Sequence, residues 1–165
     1  MMIEYVFKAN TTRKAHMPNR IRISDRLSVD PTPPTREELE RLAQEGFRSV
    51  VNLRTPGEPN QPLSPDAEGE AAREVGLDYA HIPVAPTGPR PEQVDEFRQK
   101  LSDLPGPVLI HCASGKRASV FGVLGLAMEE GLSGEEGLSR ARALGFDWGG
   151  PEIEAFVRQY LDQNM

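Results

Sequence analysis

The sequence predicts an α/β protein, a single three-layer domain with a mainly parallel central sheet flanked by helices. Short apolar runs such as Ser49–Leu53 and Pro107–Ile110 alternate with longer segments of helical periodicity, as repeated βα units require. Helix start and stop signals punctuate those segments: capping boxes at Thr35–Glu38 and Ser133–Glu136, and glycines at Gly46 and Gly76. At 165 residues and 38% hydrophobic content, the chain is long enough to bury most of its apolar surface around one core.

The elements follow in order. Residues 1–17 form an amino-terminal segment, with Ile3-Glu4-Tyr5-Val6-Phe7 as an edge strand, an oligomer contact or a loose tail, and residues 18–165 form the single folded domain. Ile21-Arg22-Ile23 reads as a short strand. After the capping box at Thr35, Leu39, Leu42 and Ala43 give one apolar helix face, which Gly46 ends. Ser49-Val50-Val51-Asn52-Leu53 is a buried strand, followed by a Pro-rich loop from Arg54 to Pro65. A helix spans about Asp66–Val75, and Tyr79–Val84 is the next strand, with Pro83 near its end or at an edge. Pro91 opens a helix carrying Val94, Phe97 and Leu101 on one face. Pro107–Ile110 is a buried strand, and Val120–Met128 continues as a helix. Two more helices follow, one from the Ser133 box to about Leu144 and one after Gly149-Gly150-Pro151 with Ile153, Phe156, Val157, Tyr160 and Leu161 inward. In a parallel sheet, ligands bind at the carboxyl ends of the strands, so the loops after Leu53, Val84 and Ile110 are expected to converge.

Bulk chemistry narrows the function. A net charge of −6 and a pI near 5.2 argue against nucleic acid or an acidic membrane as partner. The amino-terminal apolar run is too short and too charged for a signal peptide, and no stretch suits a membrane span. A single cysteine excludes an internal disulfide, no Cys/His cluster has metal-ligand spacing, and no cofactor is expected. These features fit a cytoplasmic protein.

That lone cysteine lies in His111-Cys112-Ala113-Ser114-Gly115-Lys116-Arg117-Ala118-Ser119, between a strand and a helix. A lone cysteine is commonly a small buried hydrophobe. At a strand-to-helix turn, however, backbone N–H groups and the helix dipole favour the thiolate and bind anions. Cys112 is therefore the candidate nucleophile. Residues Ala113, Ser114, Gly115, Lys116 and Ala118 form an oxyanion-binding loop, in which Gly115 lets the backbone curl without a Cβ. Arg117 forks onto an oxyanion while stabilising the thiolate. His111 orients the loop. Ser119 either donates its hydroxyl to the thiolate or caps the helix, and Arg54 either adds positive charge to the pocket or braces the loop against Glu58.

This stretch resembles the His-Cys-x-x-Gly-x-x-Arg-Ser/Thr signature of protein tyrosine and dual-specificity phosphatases. The similarity continues through Val50-Val51-Asn52-Leu53-Arg54, Tyr79-Ala80-His81-Ile82-Pro83-Val84 and the helices after the loop, over about Pro18–Leu161. It is greatest to a small bacterial branch known as DUF442 or beta-lactamase-hydrolase-like. The resemblance implies a cysteine-phosphatase-like fold and a thiophosphate intermediate on Cys112, with a phosphorylated protein or a small-molecule phosphate as substrate.

Two departures qualify it. The signature arginine stands six residues after the cysteine, where this chain has Ala118; Arg117 is five residues on, a spacing shared with rhodanese sulfurtransferases and common in the DUF442 branch. The loop Ala85–Arg90 also lacks the aspartate that dual-specificity phosphatases use as general acid, leaving Glu58, Asp66 and Glu92 as candidates. Without an acid, aryl phosphates are the better substrates. Two other readings stay open: a sulfurtransferase that takes a persulfide on Cys112 from a sulfane sulfur donor, and a non-catalytic anion-binding module.

Overall fold

A computed structural model describes residues 20–165. The readings of residues 1–17 lie outside the described residues. Five strands, β1 (Ile21–Arg22), β2 (Leu27–Asp30), β3 (Ser49–Asn52), β4 (Asp78–His81) and β5 (Val108–His111), form one sheet in the order β1-β2-β5-β3-β4. Only β1 runs antiparallel to its neighbour. Among the described residues six helices accompany them: α1 (Arg36–Gln44), α2 (Pro65–Glu74), α3 (Pro91–Asp103), α4 (Lys116–Glu130), α5 (Gly134–Ala143) and α6 (Pro151–Gln163), with α1–α3 between successive strands and α4–α6 after the last.

Both sheet faces are covered, giving the predicted three layers. Side chains alternate along each strand. Val50 and Leu109 therefore pack on one face against Leu39 and Leu42 of α1 and Ala71 and Ala72 of α2. Val29, Val51 and Ile110 pack on the other against α3–α6, through Phe97, Phe121, Leu124, Leu138 and Val157. Helix α4 is buried on nearly all sides, as an element with apolar residues all round must be.

The register aligns the carboxyl ends of four strands: Asp30 pairs with His111, His111 with Asn52, and Asn52 with His81. Period-two alternation places His111 and Asn52 on the α1/α2 face, together with Leu109 and Val50. Cys112, one residue further, belongs to the core on the opposite face. Backbone bonds from Leu53 to the His111 carbonyl and from Val84 to the Leu53 carbonyl, both 3.0 Å, carry the two following loops to the same end.

Several expected boundaries move. Strand β2 was not anticipated, because Ser28 and Asp30 break its apolar run; both are buried, and Asp30 is held by Arg20 at 2.6 Å. The strand expected to reach Val84 stops at His81, where Pro83 soon removes a donor. Helix α4 starts at Lys116 rather than Val120, since left-handed Gly115 (φ 98°) turns the chain directly into it. That start corrects the capping reading of Ser119, because the N-cap is Gly115.

Candidate active site

Cys112 leaves β5 and is fully buried, with its Sγ accepting hydrogen bonds from the backbone N–H of Gly115 (3.2 Å) and of Ala118 (3.4 Å). These donors belong to the start of α4, so the helix dipole and the amides stabilise charge at the same sulfur. Gly115 is required there. Its φ is left-handed, and a Cβ would lie 3.0 Å from Cα of Pro31. Ala113, Ser114 and Lys116 are exposed at the loop surface, while Ala118 is buried with its amide on the sulfur. Beside them a cleft of about 340 Å³ is lined by Pro31, Ser114, Lys116, Phe146 and Trp148, among others.

Arg117 projects inward from the first turn of α4. Its Nη1 donates to Glu58 Oε2 (2.7 Å) and to the Val84 carbonyl (2.8 Å), and its Nη2 donates to Glu58 Oε1 (3.0 Å). A guanidinium carries five N–H donors. Three are thus engaged by oxygens, which leaves Nε–H and the second Nη2–H, adjacent on one edge, without an oxygen acceptor among the described residues and with the Cys112 side chain as neighbour. Burial pulls the Arg117 guanidinium down, but Glu58 and Cys112 more than offset this and keep it above its ordinary value. The Arg117 hydrogen bond, opposed by burial and joined by donors from the Thr55 amide and hydroxyl, holds the Glu58 carboxyl down at about 2. Glu58 is consequently ionised in this state, as a clamp on Arg117 rather than a proton donor.

A buried polar cluster underlies the loop on the α1/α2 face. His111 Nε2 and Glu68 Oε2 are hydrogen-bonded at 2.5 Å, and both side chains are wholly buried. The other Glu68 oxygen lies 3.4 Å from Asn52 Nδ2 and 3.9 Å from Arg54 Nη2. Asn52 Nδ2 also donates to the Tyr79 hydroxyl at 3.0 Å, and burial raises the Tyr79 phenol well above its usual range. Arg54 is only 1% exposed, so it does not line the open pocket. Nor does it brace Glu58: its Nη2 donates to the Leu63 carbonyl at 3.0 Å, and its Nε has no partner. Burial lowers the Arg54 guanidinium despite nearby Glu68.

The predicted residues therefore divide into groups. Cys112, Arg117, the loop amides and His111 converge, together with the loops after Leu53 and Val84. Ser119 turns away: its hydroxyl donates to the Lys116 carbonyl (2.8 Å) and accepts from Trp148 Nε1 (2.8 Å). Asp66 and Glu92 are exposed in the first turns of α2 and α3, where they complement the helix dipoles, and neither bonds to Cys112 or Arg117. Glu68, Asn52 and Trp148 were missed. Glu68 had a readable signal, because it occupies the apolar stripe of α2 three and four residues before Ala71 and Ala72. Among the described residues no group of acidic, His or Cys side chains could hold a metal ion, and no helix is long and apolar enough to cross a membrane.

Residues 20–129 match the family model described as "Beta-lactamase hydrolase-like protein, phosphatase-like domain". A beta-lactamase hydrolase-like protein of Xylella fastidiosa is 38% identical over 128 residues, covering 77% of this chain but only 29% of that protein. Among solved structures, Tk-PTP in its active form shares 25% identity with a TM-score of 0.74, covering 90% of this chain and 99% of the other. The fold also matches TpbA of P. aeruginosa, solved as a Cys-to-Ser variant with pTyr, at 17% identity and a TM-score of 0.66, covering 89% and 90% of the two chains.

Proposed function

The chain belongs to the family of beta-lactamase hydrolase-like phosphatase-like domains, a cysteine-based phosphatase family, and from that premise we propose that it hydrolyses phosphate monoesters through a thiophosphate intermediate on Cys112. The observation that carries this reading is the Cys112 sulfur set between two loop amides, with one edge of the neighbouring Arg117 guanidinium unoccupied by any protein oxygen among the described residues.

The Nε/Nη2 edge of Arg117 takes two oxygens of the phosphoryl group, while the loop N–H groups take the rest. The Cys112 thiolate attacks phosphorus in line, forming S–P as the ester P–O bond breaks and its electron pair leaves on oxygen. Water then attacks phosphorus, the S–P pair returns to sulfur, and the water proton passes to solvent with release of phosphate. Glu58, already ionised on Arg117, does not protonate the leaving oxygen. Aryl phosphates, whether phosphotyrosine in a protein or a small molecule, leave without that proton and are the favoured substrates. An alkyl ester forgoes a contribution of about 10²–10⁴-fold.

Purified protein incubated with p-nitrophenyl phosphate tests this. Turnover abolished by Cys112→Ser, together with a phosphate adduct on Cys112 after acid quench, is expected. No turnover above Cys112→Ser from pH 5 to 8 would overturn it. The five-residue step from Cys112 to Arg117 keeps a second reading, sulfur transfer, distinct. Its mark is an adduct of one sulfur atom on Cys112 after thiosulfate, in place of the phosphate adduct.

A further inference from the structure

The loop that carries Glu58 is fastened at its base by a buried arginine. Residues 54–63 leave the end of β3 and lead into α2, and they supply the carboxylate that holds Arg117 at 2.7 and 3.0 Å. Proline at positions 56, 59 and 62 restricts the backbone, and left-handed Gly57 and Asn60 reverse its course. Bonds within the loop give it shape: the Thr55 amide and hydroxyl donate to Glu58, and Gln61 Nε2 donates to the Thr55 carbonyl at 3.2 Å. Its base is fixed by others. Arg54 Nη2 donates to the Leu63 carbonyl at 3.0 Å, so the first residue of the loop grips the last. The Arg54 amide donates to Asn52 Oδ1 at 2.9 Å. His81 Nε2, at the end of β4, donates to the Arg54 carbonyl at 2.6 Å, since a carbonyl can only accept.

Arg54 is 1% exposed and bonds to neither Glu58 nor Arg117, so any effect on the anion site must pass through the loop. Its charge is matched by Glu68 at 3.9 Å, while its Nε–H has no partner among the described residues. A buried donor left unpaired weakens a fold, so stability alone does not account for an arginine here. Its grip on the Leu63 carbonyl gives it a role.

We propose that Arg54, anchored by His81, is a positioning residue for the anion site: by binding the Leu63 carbonyl it closes the loop at its base, and so fixes Glu58, which directs Arg117. The inference rests on Arg117 binding the phosphoryl group. A loop untied at its base has many more conformations, and Glu58 would then hold the guanidinium in many directions rather than one.

Orthophosphate is the probe. Its Kd is measured by protection of Cys112, the chain's only cysteine, from iodoacetamide. Four proteins are compared: wild type, Arg54→Lys, Glu58→Gln and the double variant. Lysine keeps a charge beside Glu68, but its shorter side chain ends before the Nη2 position and gives up Leu63. Arg54→Lys is expected to weaken phosphate binding about tenfold while Glu58 is present. In the Glu58→Gln background the clamp is already lost, and the same substitution is expected to change Kd by less than about twofold. A merely structural role would lower the urea midpoint in both backgrounds and leave the Kd of the folded protein alone. An unchanged Kd in Arg54→Lys, or equal losses in both backgrounds, overturns the proposal.

If Arg54→Lys does not fold, His81→Ala takes its place. His81 is half-buried at the sheet edge, and its removal releases the Arg54 carbonyl. Weaker phosphate binding is again expected only where Glu58 is present, and a Kd equal to that of the wild type overturns the proposal. Wild-type protein that binds no orthophosphate overturns the reading of Arg117 itself. Wild-type protein that binds it, with variants that bind it equally well, overturns this inference alone.

Discussion

Replacing Glu58 with glutamine tests the division of labour between the two sides of Arg117. The native carboxylate receives two guanidinium bonds, at 2.7 and 3.0 Å, plus the Thr55 amide at 2.7 Å and hydroxyl at 2.8 Å. The substituted amide keeps one acceptor and no charge. A carboxyl held at about 2 rather than 4.5 corresponds to about 3 kcal/mol of folded-state stabilisation. Both side chains of the pair are only 9% exposed, and the glutamine keeps part of the hydrogen bonding, so about 1–2 kcal/mol is the expected loss at pH 7. Because the folded carboxyl is depressed, this stability is fully present above the ordinary value of 4.5 and disappears as pH falls through about 2. Urea unfolding of both proteins should therefore differ at pH 7 and converge in acid. The released guanidinium also loses its fixed direction toward Cys112, and kcat/KM for p-nitrophenyl phosphate is expected to fall by about 10–100-fold, as for a misplaced catalytic group. Aryl and alkyl phosphates should lose equally, because Glu58 donates no proton. A Glu58→Gln enzyme as fast as wild type, or faster, would refute the clamp and make Glu58 a rival of the phosphoryl group for Arg117.

Three further variants follow from the geometry of the loop and its flank. Gly115→Ala places a side chain at φ 98° with its Cβ 3.0 Å from the Pro31 backbone, so a loss of about 1–3 kcal/mol is expected in urea unfolding. It should also slow iodoacetamide alkylation, since the displaced loop withdraws the Gly115 amide from the sulfur. Trp148→Phe removes the 2.8 Å bond to the Ser119 hydroxyl and should lower stability by about 1 kcal/mol. Ser119→Ala should act on stability in the same way while leaving breakdown of the thiophosphate unchanged in rapid-quench assays, because that hydroxyl is committed to Lys116 and Trp148 rather than to Cys112.

Much of the site was legible because its logic is local. A strand, a cysteine, a left-handed glycine and a helix start are consecutive in the chain, so the cradle around Sγ follows from their order. The convergence of the loops after Leu53 and Val84 was equally readable, since parallel strands must present their carboxyl ends together. What escaped is long-range. In the sequence Glu58 is a candidate acid, yet its partner Arg117 lies 59 residues away and turns it into an ionised clamp. Ser119 stood at the right place for the thiolate, but Trp148, 29 residues on, takes its lone pair. Arg54 looked like a pocket cation and is instead buried beside Glu68.

By itself the sequence determined the class of fold and singled out the candidate nucleophile, the candidate anion-binding loop and the arginine beside it. Periodicity, caps and turn residues act over a few positions, and those are the distances over which the backbone is directed. The tertiary structure alone decided which carboxylate holds Arg117, which one meets His111, and that Glu58 is ionised rather than ready as an acid. A carboxylate's role depends on the charge and burial around it, and those come from side chains that meet only once the sheet has brought its carboxyl ends together.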